Sequence, residues 1–248
     1  MENLVDVIVK PVNLRFSIYD GEVYYLFCGN PEASLDQAEL FMGVGPDNCS
    51  GIFESNLGFL PVCSTILIRG KKNVVVDPNN HHIGSYGMLE KALEAYGLSF
   101  EDIDFVVATH WHHDHSANLG LFSGELIIGK GELSFGNEVY GEENIKGKTK
   151  NYKHIVEVDD IYEPFEGFKV LFTPGHSPGS ISVLVDNDNT RTAIMGDSIM
   201  TKSEWFDDAA FSHWYTSEQL ERLITAREKM KSFKPTSVIP GHDKEFNV

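Results

Sequence analysis

The run Thr109-His110-Trp111-His112-His113-Asp114-His115 constrains this chain more than any other stretch, because seven residues hold five strong metal-binding side chains. It closes an apolar segment, Ile103, Phe105, Val106, Val107 and Ala108, that reads as a buried strand. In a loop leaving a strand, His110 and His112, two apart, are able to converge on one cation. The adjacent Asp114 and His115 are able to converge on another. The remaining sequence is then a scaffold that brings further ligands to the same place.

Three later positions fit that need: His176 in Thr-Pro-Gly-His-Ser-Pro-Gly-Ser, Asp197 in Met-Gly-Asp-Ser, and His242 in Ile-Pro-Gly-His-Asp. Each follows a predicted strand, and Gly or Pro just before it turns the chain sharply and aims one side chain back toward a common edge. A lone His after Pro-Gly is more often a turn residue than a ligand. An ordered series of such residues is hard to obtain by chance.

The elements between these points read as alternating β and α. Val5, Val7 and Val9 alternate with polar neighbours, and Asp20-Gly21 marks a hairpin turn before Val23 to Leu26. Residues 28–62 are rich in Gly, Pro, Asn and Ser with interspersed aromatics, the composition of a lid or contact loop. Strands are expected at 64–69 and 73–77, then a helix through Met88, Leu89, Ala92, Leu93 and Tyr96 that Gly97 terminates. After the histidine-rich run come a short helix or turn at 118–122 and a short strand at 126–128. The polar, Gly-rich residues 130–153 read as a surface excursion without periodicity. Strands resume at 155–158, 168–172, 181–185 and 192–195. Thr216 and Gln219 form a capping box for a helix whose inward face is Leu220, Leu223, Ile224 and Met230. A final short strand holds Val238 and Ile239.

At 248 residues with 42% hydrophobic and 23% charged residues, the chain suits a single α/β domain spanning 1–248. The 37 acidic and 20 basic residues give a formal charge of -17, which repels phosphate backbones and disfavours nucleic acid as a partner. Three cysteines without Cys-x-x-Cys spacing fit a reducing compartment, and the cytoplasm is the expected location. The start lacks a signal peptide's pattern and no run reaches membrane-spanning length, so no membrane partner is expected. Whether the chain forms a homo-oligomer stays open.

From Ser64 onward the chain resembles the metallo-β-lactamase superfamily, whose His-x-His-x-Asp-His motif is followed in order by a single His, a bridging Asp and a last His. The resemblance implies a four-layer αββα sandwich, two mixed β-sheets flanked by helices, with the ligands on loops at one edge. It implies that His110, His112 and His176 bind one metal, that Asp114, His115 and His242 bind the second, and that Asp197 bridges them. Two divalent ions are expected, Zn first, with Fe or Mn also compatible with mixed nitrogen and oxygen ligation. A metal-bound hydroxide would then be the nucleophile, with Asp114 as proton shuttle. Two aspartates and that hydroxide leave the site slightly positive, suited to an anionic small-molecule substrate or a developing oxyanion. Asp77, before Pro78, stands where the family often has an Asp supporting the ligands.

Within the family the sequence looks like both the metallo-β-lactamase domain-containing protein 1 group and the acyl-homoserine lactonases. Lactonases commonly carry a Tyr shortly after the bridging Asp, where this chain has Ser198, Ile199 and Met200. The expected activity is hydrolysis of a small ester, lactone or thioester. A phosphodiesterase or endoribonuclease is the alternative within the fold, and a non-catalytic metal-binding or scaffold protein the alternative outside enzymes. His113 is expected to face solvent, as are His81, His82 and His154. Trp111 fits the cleft and the core equally well, and His213, Trp214 and Tyr215 read as a packed aromatic cluster with substrate contact as the other option.

Overall fold

The computed structural model describes residues 2–9, 12–19, 22–28, 58–79, 85–211 and 215–248. In chain order the strands are β1 (Leu4–Val9), β2 (Val12–Tyr19), β3 (Glu22–Cys28), β4 (Gly58–Val62), β5 (Thr65–Arg69), β6 (Asn73–Val76), β7 (Phe105–Val107), β8 (Glu125–Gly129), β9 (His154–Val158), β10 (Ile161–Phe165), β11 (Phe168–Phe172), β12 (Ile181–Asp186), β13 (Arg191–Gly196), β14 (Ser237–Pro240) and β15 (Phe246–Asn247). The helices are α1 (Ser85–Glu94), α2 (His113–Ser116), α3 (Glu132–Tyr140), α4 (Glu142–Thr149), α5 (Lys202–Phe206) and α6 (Ser217–Ser232).

Two six-stranded mixed sheets carry the fold, one ordered β1-β5-β6-β7-β8-β9 and the other β10-β11-β12-β13-β14-β15. Side-chain alternation explains why they stack. Ile66, Ile68, Val74, Val76 and Val107 of the first sheet meet Val170, Ile181, Val183, Ile194 and Ile239 of the second in one buried cluster. The intervening Leu67, Val75 and Val106 point the other way, to a cluster shared with Leu89 and Leu93 of α1. On the far side, Leu171, Leu184 and Met195 pack against Leu223 and Met230 of α6. Strands buried on both faces read as continuous apolar runs, which is why Val74 to Val76 are hydrophobic without a break and Ile181 to Val185 are interrupted only by the buried Ser182. The four layers expected from the sequence are those observed.

β2 and β3 form the expected hairpin, with Tyr19 paired to Glu22; the turn residues 20 and 21 are outside the described residues. β1 is not part of that unit, since it pairs antiparallel with β5 of the first sheet. The expected loop 28–62 is corrected at its ends: Cys28 closes β3 and residues 58–62 form β4 against β2. Pro61 reads as a strand breaker, but β4 is the edge of the small sheet β3-β2-β4, a position that tolerates proline. Residues 29–57, the body of the proposed lid, lie outside the described residues.

A larger correction falls on 130–153, where the structure has helices α3 and α4 rather than an irregular excursion. α4 is polar on most sides and is tied down by specific contacts, with Trp111 Nε1 donating to Asn144 Oδ1 at 3.1 Å. Such a helix carries no apolar periodicity to read. β10 and β15 were also missed: the first is an edge strand with exposed Ile161, and the second has two residues. α6 starts at the predicted box, with Gln219 N donating to Thr216 Oγ1 at 3.2 Å and Thr216 N to Gln219 Oε1 at 3.0 Å. Its buried face is Leu223, Ala226, Arg227 and Met230, with Leu220 and Ile224 at the margin.

Candidate metal centre

The sandwich delivers its chemistry from strand ends. Asp77 follows β6, Thr109 to His115 follow β7, His176 follows β11, Asp197 follows β13 and His242 follows β14. β6 and β7 run parallel, as do β13 and β14, so these ends reach the same rim of the two sheets. The glycines read as turn residues are needed sterically. Gly196 adopts φ +51 beside Thr109, and a Cβ on Gly241 would collide with the Asp197 carboxylate.

The seven expected ligands come together in two sets. His110 Nε2 lies 3.0 Å from His112 Nδ1, which lies 2.8 Å from His176 Nε2. Asp114 Oδ2 lies 3.5 Å from His115 Nε2 and 3.3 Å from His242 Nε2. Asp197 stands between the sets. Its Oδ1 is 3.2 Å from His115 Nε2 and 3.3 Å from His242 Nε2, while its Oδ2 is 3.4 Å from His176 Nε2 and 3.9 Å from His110 Nε2.

These donors fit a cation. Tetrahedral zinc with Zn–N of about 2.0–2.1 Å separates its ligand atoms by roughly 3.3 Å, close to the spacings within each set. His115 Nε2 and Asp197 Oδ1 face each other inside the protein yet make no hydrogen bond among the described residues, a costly arrangement unless a cation takes both lone pairs. Burial pushes His176 down to about 3 and, with help from His115 and His176, holds His110 well below the usual imidazole range. The first set therefore offers neutral nitrogens. Burial would also lower His242, but Asp197 and Asp114 bring it up to about 9. For Asp197 burial acts upward and is overcome by His115, His242 and His176, which hold the carboxyl well below its ordinary range. The second set thus exchanges protons when it takes a cation.

Outer contacts hold the ligands in place. The Asp77 carboxylate accepts from Thr109 N and Thr109 Oγ1, both at 2.7 Å, and from His115 Nδ1 at 2.8 Å. The supporting position suggested by Asp77 therefore has the contacts it needs. Cys63 Sγ donates to the Asp114 carbonyl at 3.1 Å, and burial pushes the thiol up to about 12. Tyr215 is not merely packed among aromatics: its hydroxyl lies 2.7 Å from His176 Nδ1. Trp111 is fully buried and so belongs to the core. His113 is exposed beside Tyr140, and His154 is exposed. His81, His82, His213 and Trp214 lie outside the described residues. Glu132, which the sequence reading passed over, is fully buried and accepts hydrogen bonds from residues flanking the ligands. Nothing local to Glu132 marks it, since its partners are 21 and 45 residues away.

The sequence profile of the metallo-beta-lactamase superfamily matches residues 57–242, an interval that includes all seven converging side chains. The chain belongs to that superfamily. Among metallo-beta-lactamase relatives, an N-acyl homoserine lactonase of Bacillus cereus is 32% identical over 158 residues, covering 62% of this chain and 61% of the relative. The match therefore spans less than two thirds of the lactonase's own length. The metallo-beta-lactamase domain-containing protein 1 of Xenopus laevis is 28% identical over 186 residues, covering 75% of this chain and 72% of the relative. The fold is shared with an N-acyl homoserine lactone hydrolase solved with the product N-hexanoyl-L-homoserine at its catalytic metal centre. That structure aligns with TM-score 0.63 at 19% identity, over 98% of this chain and 93% of the other. Both resemblances read from the sequence are thus met by relatives. Among the described residues no helix is long and apolar enough to cross a membrane.

Proposed function

We propose that this chain is a metal-dependent hydrolase with a binuclear centre that opens a small lactone or a related ester or thioester. The reading takes residues 1–248 as one domain, because both sheets supply ligands. His110, His112 and His176 would hold one cation, Asp114, His115 and His242 would hold the other, and Asp197 would serve both. The observation that carries this is the Asp197 carboxylate, whose two oxygens face different donor sets. Zinc suits two sets of four nitrogen and oxygen donors, each counting the shared Asp197. The lactonase relatives support the substrate class. The free, buried Cys63 agrees with a reducing, cytoplasmic setting.

Bound there, a pair of divalent cations supplies Lewis-acid polarisation of a carbonyl and makes water acidic enough to ionise near neutral pH. The protein's own groups do the rest. Asp114, buried with a small exposed part of its side chain, moves a proton to the departing alkoxide. Asp77 accepts a hydrogen bond from the Nδ1–H of His115, which leaves the Nε2 lone pair toward the centre. Ser198, Ile199 and Met200, where lactonases commonly place a phenol, are buried, and Ser198 Oγ donates to the Thr173 carbonyl at 3.1 Å. They are structural in this chain. The phenol at the centre is that of Tyr215, which fixes the His176 ring.

Tyr215→Phe removes that hydroxyl and keeps the ring. It should lower kcat/KM by about 10-fold, the lower end for a supporting partner of a metal ligand, with unchanged thermal stability of the metal-free chain. An unchanged kcat/KM would remove Tyr215 from the centre's support.

The substrate class is tested by metal analysis of the purified chain followed by a matched panel of N-acyl homoserine lactone, acyl thioester, bis-aryl phosphodiester and single-stranded RNA. Lactone opening should exceed the phosphorus substrates by at least about 10-fold in kcat/KM, about 1.4 kcal/mol of barrier. Faster phosphodiester or RNA cleavage would move the chain to the nuclease reading. Two bound metals with no turnover across the panel would make it a metal-binding scaffold.

A further inference from the structure

Glu132 opens α3 within the stretch that reads as featureless from sequence, and its carboxylate is fully buried. Its two oxygens face different loops. Oε1 accepts from the backbone N–H of Trp111 at 2.8 Å, and Trp111 is the residue between His110 and His112. Oε2 accepts from Ser177 Oγ at 2.7 Å and from Gly179 N at 2.8 Å, and Ser177 directly follows His176. One side chain therefore ties together the two loops that supply the three-histidine set. α3 can sit this close only because a glycine stands at each contact: a Cβ on its own Gly136 would strike the Trp111 indole, and one on Gly179 of the facing loop would strike Glu132.

The other set is braced from a different direction. His115 leans on Asp77, and the Asp114 carbonyl accepts from Cys63, both in the chain segment around β5 and β6. Burying a carboxylate is costly unless its acceptors are filled, and here three donors fill them. A group held at that cost, with every bond directed at a ligand-bearing loop, has a positional task.

We infer that Glu132 is a positioning residue that sets the spacing of the His110-Trp111-His112 and His176-Ser177 loops, and so selectively tunes the affinity of the three-histidine site for its cation. The inference rests on the binuclear reading given above. An amide at this position keeps the shape but offers one oxygen and a donor where three donors converge, so one loop must lose its anchor. Outer partners of metal ligands are worth about 10- to 100-fold in affinity, and the loss should fall on one site.

The test is a titration of the metal-stripped full chain with Co(II), following the visible ligand-field bands and free metal with a competing chelator. Wild type should take two equivalents. Glu132→Gln should keep one equivalent at wild-type affinity and bind the other about 10- to 100-fold more weakly. Ser177→Ala, which removes one of the three donors, should weaken the same step by less. Wild-type affinity at both steps in Glu132→Gln, or equal weakening of both, would overturn the inference. If Glu132→Gln does not fold, Ser177→Ala decides, and an unchanged titration overturns it. A wild type that binds only one equivalent, with that one weakened in Glu132→Gln, would remove the binuclear reading and leave the clamp standing.

Discussion

Asp197→Asn should yield a folded protein that retains about one cation in place of two and turns over substrate more than about 100-fold more slowly. The magnitude follows from comparison, since partners that merely touch a ligand are worth about 10- to 100-fold and Asp197 faces both donor sets directly. Asparagine is nearly isosteric, so the close approach to Gly241 is kept. Only one of its terminal atoms is an acceptor. Whichever way the amide turns, its NH2 meets either His115 and His242 or His176 and His110, the groups that Oδ1 and Oδ2 face at 3.2–3.9 Å. Elemental analysis after gel filtration, paired with kcat on the best lactone of the panel, checks both parts. Full occupancy with wild-type kcat would end the two-metal account.

Asp77→Asn has the second largest expected effect, and its cause is a proton's position rather than a lost ligand. A carboxylate accepts at both oxygens, so His115 must present Nδ1–H to Asp77 and keep its lone pair on Nε2. An Asn amide that keeps the Thr109 N–H bond turns its NH2 toward His115. The imidazole then flips tautomer and puts a proton where a cation should bind. Cation affinity at the Asp114, His115 and His242 set should fall about 100-fold, at the upper end for such partners, while the metal-free chain loses about 1–3 kcal/mol for one mismatched buried group. The backbone does not confound the test. Asp77 sits at φ +49, a conformation asparagine also tolerates. Urea denaturation with and without metal separates the two effects. Equal losses in both conditions would make Asp77 purely structural.

The candidate ligands were legible because metal chemistry admits few residue types, four of them crowd into the run 110–115, and the chain marks His176, Asp197 and His242 with a glycine or proline at a strand end. The core strands were legible for a related reason: burial on two faces leaves unbroken apolar runs such as Val74 to Val76. Helices α3 and α4 were not, because only a few partly buried apolar residues, Leu133, Phe135, Tyr140 and Ile145, pack on the core, and the rest of their anchorage comes from single polar contacts that leave no periodic trace. Glu132 and Tyr215 escaped on the same grounds. Their meaning lies in partners such as Gly179, 47 residues from Glu132, and His176, 39 residues from Tyr215, and separation in the chain hides them from any window along it. Asp77 lay between these cases, since its family position was visible while the three bonds that justify it were not.

The rim where the two sheets meet also has a mechanical meaning. His110, His112, Asp114 and His115 hang from β7 of the first sheet, whereas His176, Asp197 and His242 hang from β11, β13 and β14 of the second. A cation held by both groups is a crosslink across the sandwich, joining layers that otherwise adhere through the apolar cluster between them and a few hydrogen bonds such as Ile181 N to the Thr109 carbonyl. Ligand occupancy at 1,000 times Kd adds about 4 kcal/mol to a folded state, and here that increment acts against separation of the sheets. Chelation should therefore do more than stop the chemistry: it should loosen the seam between the two sheets.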